Sequence, residues 1–130
     1  DPKINVRLIE IYHNNNLDLA TNALIKSFPT GAMAEVIRLS ALKRIMTKNA
    51  APEDLEHVTR YMYRNPQSFR IENICSEEPT LHHISLAIDT LTDLKRTRWM
   101  FEQMSNPQTA SFPEVIGLAR AWRQQQGDCS

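Results

Sequence analysis

The sequence has 130 residues, 42% of them hydrophobic and 23% charged, with fifteen Lys and Arg against fifteen Asp and Glu. That length suits one domain able to bury roughly 65–70% of its unfolded surface, and the composition excludes a disordered chain. Zero formal net charge disfavours a dedicated nucleic-acid-binding domain, and no apolar run approaches the ~20 residues needed to span a bilayer.

"DPKI" reads as an Asp1 N-cap with Pro2 in the first turn. It predicts a helix over residues 2–14, with Ile4, Leu8 and Ile11 on one side. "NNN" ends it, because Asn prefers turns to helix interiors. A second helix is predicted over 17–28, where Leu17, Ala20, Leu24 and Phe28 fall in register. Thr30 can cap a third, from 31 or 32 to 48. Its apolar residues, among them Met33, Val36, Ile37, Leu42 and Ile45, cover more than half the circumference and mark a central element. "PEDLEHVTRYMYRN" predicts a fourth helix from Pro52, acidic in its first turn and basic in its last. Asn65 can cap a short helix over 68–74. A long helix follows from 79 or 80 to about 104. The last begins at "SFPE", where Ser111 and Glu114 have capping-box spacing, and ends near Gln126, with 127–130 as a frayed tail.

These elements predict an all-α fold: a single-domain bundle of six or seven helices joined by short turns, spanning 1–130. The absence of an initiator Met and of a signal-peptide pattern suggests a domain excised from a longer protein. Cys75 and Cys129 are too few for a disulfide scaffold, and neither lies in a C-x-x-C pair. An intracellular, cytoplasmic protein is expected. The alternative is a secreted helical protein with one Cys75–Cys129 bridge.

Enzyme signatures are missing: there is no phosphate loop, G-x-S-x-G elbow, H-E-x-x-H or glycine fingerprint. No catalytic residue and no cofactor is therefore expected. Cys75, His82 and His83 are the candidate metal group. Adjacent histidines on a helix point about 100° apart, however, so no metal site is expected either. The basic residues are unevenly spread. Residues 17–49 hold Lys26, Arg38, Lys43, Arg44 and Lys48 against Asp18 and Glu35, whereas 51–79 hold three arginines against six acids. "RYMYRNPQSFR" also interleaves arginines with Tyr61, Tyr63 and Phe69, a pattern that can stack bases and hold phosphates.

"LKRTRWMF" is the most distinctive stretch. On a continuous helix from Thr80, Lys95, Arg98 and Trp99 share the side of Leu81, Ile84, Ile88 and Leu91. Arg96 falls on the acidic side, where Asp93 can pair with it at i,i+3. Either the core ends there, with Trp99 closing it and the two cations snorkelling, or the face lines a groove for another chain. The predicted function is a non-enzymatic protein–protein interaction module, a helical adaptor or regulatory domain. It would dock a partner protein, a peptide or a second copy of itself through Lys95, Arg96, Arg98 and Trp99. The alternative is a helical domain for RNA or single-stranded nucleic acid, using Lys43, Arg44, Lys48, Lys95, Arg96 and Arg98. No membrane partner is expected.

Overall fold

The structure, a computed structural model, describes residues 1–47 and 58–127. Helix α1 spans Pro2–Asn14. The Asp1 carboxylate accepts from the Lys3 amide at 2.9 Å, Pro2 occupies the first turn, and Ile4 and Leu8 are buried. The chain leaves through Asn16 at φ +48, a left-handed conformation that Asn tolerates better than most residues.

After α1 the chain turns into a sheet. Strand β1 is Leu19–Thr21, β2 is Glu35–Ile37 and β3 is Ile71–Asn73, in the spatial order β2-β1-β3. β1 runs antiparallel to β2, with Leu19 opposite Ile37, and parallel to β3, with Leu19 opposite Ile71. The expected all-α bundle is therefore incorrect, and the fold is mixed α/β. The cause lies in how consecutive residues are buried. Leu19 packs with Ala41, Ile45, Met62 and Phe69, while Ala20 packs with Ile4, Leu8, Leu17 and Phe28. Neighbours facing opposite cores define a strand. A central strand buried on both faces shows no polar alternation, so at this length its pattern matches a helix equally well. Leu24, which a helix over 17–28 needs inside, is 45% exposed.

The expected third helix divides into β2 and helix α2, Leu39–Thr47, which buries Ala41 and Ile45. Lys48 and the acidic start of "PEDLEHVTRYMYRN" lie outside the described residues. Helix α3, Val58–Arg64, precedes a 3-10 turn at Pro66–Ser68. β3 then stands where a short helix over 68–74 was expected. Asp18 ties these pieces together although it is only 6% exposed. Its carboxylate accepts from the Arg70 amide at 3.0 Å and lies 3.5 Å from Arg44 and 3.8 Å from Arg38.

The long helix expected from 79 or 80 to 104 is also two pieces. Pro79–His83 is a second 3-10 turn, and residues 84–90 are not helical. Thr30 donates its amide to Ile84 O at 3.1 Å and accepts from the Leu86 amide at 2.7 Å. This forms a parallel bridge between Thr30 and Ser85. Gly31, at φ +92, lets the two segments approach. A Cβ there would stand 2.9 Å from the Ala87 nitrogen. Helix α4, Leu91–Gln103, starts at a capping box in which Thr90 and Asp93 exchange backbone-to-side-chain hydrogen bonds. Helix α5 is Phe112–Gly127, so Gly127 belongs to the helix rather than to a tail. At its start the Ser111 hydroxyl accepts from the Glu114 amide at 3.3 Å. α4 and α5 pack through Trp99 and Trp122, with ring centroids 5.5 Å apart. Among the described residues no helix is long and apolar enough to cross a membrane.

Candidate functional site

The register of the sheet sets out its chemistry row by row. Ile37, Leu19 and Ile71 lie abreast and pack with α2 and α3. Two residues along, on the same face, stand Glu35, Thr21 and Asn73. This polar row occupies the carboxyl ends of the parallel strands β1 and β3. Tyr63 of α3 reaches over it, with its hydroxyl 3.0 Å from the Thr21 hydroxyl and donating to the Glu35 carboxylate. Burial first, and the Glu35 hydrogen bond second, push the Tyr63 phenol well above the usual tyrosine range. It stays a neutral donor and orients the Glu35 carboxylate. Asn73 Oδ1 accepts from the Ile25 amide at 3.0 Å, and its Nδ2 lies 3.5 Å from Cys75 Sγ.

Cys75 leads into a cavity of about 770 Å³. It is walled by the segments that follow β1, at Phe28 and Gly31, and β3, at Ile74 and Ser76, together with the starts of α1 and α5. Ligands of α/β proteins bind outside the carboxyl ends of parallel strands, where such loops converge. Lys3 and Arg7, one helical turn apart on α1, supply cations to this cavity. Ser76 and Ser111 supply hydroxyls, and Asp1, Glu77 and Glu78 supply carboxylates. The Ser76 amide donates to the buried Ser27 hydroxyl at 3.0 Å, which fixes that wall. Sequence reasoning gave Asp1 and Ser111 capping roles and the acids of "SEEP" a place near a helix start, and it gathered none of these residues into a site. Their signal is a pairing between segments about fifty positions apart, which no local pattern carries.

The residues singled out in the sequence are distributed differently. Arg96 turns inward: it pairs with Asp93 at 2.7 Å, as its i,i+3 spacing predicts, and donates to Ala87 O at 2.6 Å. Lys95 and Arg98 are exposed, and Trp99 is half-buried against Trp122. The expectation that Lys95, Arg98 and Trp99 continue a core stripe from Leu81 required one helix from 80 to 104. The break at 84–90 removes that continuity. Lys43 is exposed, whereas Arg44 lies over the Phe69 ring at 5.2 Å. Lys43 and Arg44 belong to α2, on a different element from the α4 cations. The His82 and His83 ring centroids lie 3.8 Å apart, with the rings tilted by 40°, on a 3-10 turn where an α-helix was expected. Among the described residues no three His, Cys, Asp or Glu side chains converge as a metal site.

Neither a protein-family profile nor a curated protein matches the sequence. The fold does match a solved structure, that of a cytidylyltransferase from Leptospira borgpetersenii serovar Hardjo-bovis (strain JB197). The TM-score is 0.82 at 19% sequence identity, over 98% of this chain and 52% of that one. The chain thus spans about half the length of the protein it resembles. This likeness overturns the expected non-enzymatic adaptor together with its nucleic-acid-binding alternative, since both were built on an all-helical bundle. The shared fold is that of a protein solved as an enzyme, so the expectation of no enzyme falls with them.

Proposed function

We propose that the chain contributes a substrate-binding part of a nucleotidyltransferase-type catalytic unit, one that moves a cytidylyl group from CTP onto an acceptor. The observation that carries this reading is the fold likeness to a cytidylyltransferase along 98% of the chain. The position of the 770 Å³ cavity supports it, because the loops after two parallel strands are where α/β folds gather substrate contacts. Lys3 and Arg7 suit the anionic groups of a nucleotide or its acceptor, while the nearby carboxylates suit acceptor hydroxyls.

The test combines a binding titration with a turnover assay. Nuclear magnetic resonance titration with CTP and CMP, against ATP as comparator, should shift the amides of Lys3, Arg7 and Ser76 selectively for cytidine nucleotides. Pyrophosphate release should be followed with sugar phosphates and sugar acids as acceptors. Arg7→Ala should weaken the binding roughly tenfold, the worth of one charge-assisted hydrogen bond. Absence of both a cytidine-selective shift at the cavity and any acceptor-dependent pyrophosphate release would sink the reading.

A further inference from the structure

We propose that a second cavity, between residues 79–85, α4 and α5, binds a phosphomonoester. The cavity measures about 410 Å³, within the range of small-molecule sites of roughly 300–1,000 Å³. Arg96, Arg120 and Arg123 line it together with His83, Thr80 and Ser85, and among the described residues no Asp or Glu lines it. Trp122 and Ala119 give it an apolar wall suited to the organic part of such a ligand. The segment at 79–86 separates this cavity from the larger one. Leu81 and Leu86 face the larger, whereas Thr80, His83 and Ser85 face this one. The proposal does not depend on the nucleotidyl-transfer reading.

Three features favour an oxyanion with two charges. Arg96 is held in place by Asp93 and Ala87 O, while its Nε is buried with no acceptor among the described residues. These two bonds fix the Arg96 guanidinium at the cavity wall as a preorganised cation for an oxyanion. Arg120 pairs with Glu78, but the two side chains are 46% and 51% exposed, and a pair so open to water is readily exchanged. Arg123 is exposed at the last turns of α5, where its fork is free to turn toward a ligand. A phosphomonoester offers three oxygens and close to two charges near neutral pH, which matches two guanidinium forks and flanking hydroxyls. Its binding would take Arg120 from Glu78, a residue that also lines the larger cavity. The Glu78 carboxyl, held below the usual range chiefly by the Arg120 hydrogen bond, would then move back up.

The experiment follows the arginine side-chain resonances during titration with inorganic phosphate, a hexose phosphate and CMP, each against chloride at matched ionic strength. Saturable shifts of Arg120 and Arg123 are expected with the two organic monoesters, together with a raised Glu78 titration in the bound state. Arg120→Gln and Arg123→Gln should each weaken binding roughly tenfold, and Glu78→Gln should tighten it, with the circular dichroism of all three unchanged. Saturation by inorganic phosphate alone overturns the assignment to an organic monoester. The proposal also fails if no probe saturates, or if the double variant Arg120→Gln with Arg123→Gln binds as well as wild type.

Discussion

Asn22 shows how much one side chain can do for this fold. It is fully buried one residue beyond β1, where a hydrophobic residue would be the ordinary choice. Its Oδ1 accepts from the Ala34 amide at 2.7 Å and its Nδ2 donates to Ala32 O at 3.1 Å. The amide thus extends the β1–β2 pairing past the last strand residue and pins the connection. Asn22→Ala should cost about 2–3 kcal/mol, because it strands one donor and one acceptor as well as removing their partners. Urea unfolding would measure it, and a loss below the usual scatter for surface residues would refute that role. Arg96 illustrates what was legible at this scale and what was not. Its pairing with Asp93 depends only on a spacing of three within one helix, and so it could be read from sequence. Its inward direction depends on Ala87 O, presented by a non-helical segment, and no helical projection contains that information.

At the scale of elements, the readable features were those with chemical punctuation. Asp1-Pro2 set the start of α1, and Ser111 with Glu114 set the start of α5. Thr90 and Asp93 carry the same box and start α4, but the apolar residues Leu81, Ile84 and Ile88 suggested an earlier start. The three strands carry no such marks. Each is three residues long, and β1 is buried on both faces, so periodicity had nothing to resolve. The α4 cap yields a prediction with a definite sign. Thr90→Ala should destabilise by about 1 kcal/mol, the usual worth of an N-cap. The Asp93 carboxyl is held below its ordinary value, first by the Thr90 hydroxyl and then by the Asp89 and Thr90 amides and Arg96. A group with a depressed folded value stabilises fully above its unfolded value and stops doing so as pH falls through the folded one. The difference in thermal midpoint between wild type and Asp93→Asn should therefore be full at neutral pH and close in acid. A difference that stays constant into acid would contradict the assignment.

Over the whole molecule, the two cavities stand on either side of the 79–86 segment, and the Arg120–Glu78 pair spans that divide. The candidate site was illegible because it exists only once β1 and β3 meet. Lys3, Gly31, Ser76 and Ser111 come from four separate parts of the chain, and no sequence motif joins them.

The place of β1 between an antiparallel and a parallel neighbour also dictates an order of assembly. Thr21 and Glu35 are 14 positions apart, whereas Asp18 and Arg70, which join β1 to β3, are 52 apart. Closing the longer loop costs more chain entropy and yields no contact until α2 and α3 are in place, so it should be the late, rate-limiting event. In pulse-labelled refolding, the Ala34 amide, bound to Asn22, should gain protection before the Ile74 amide, bound to Thr21 O. Simultaneous protection of the two would mean the sheet forms in one step. If they separate, the edge that carries the candidate site is the last part of the protein to exist, and early intermediates have a core but no such cavity.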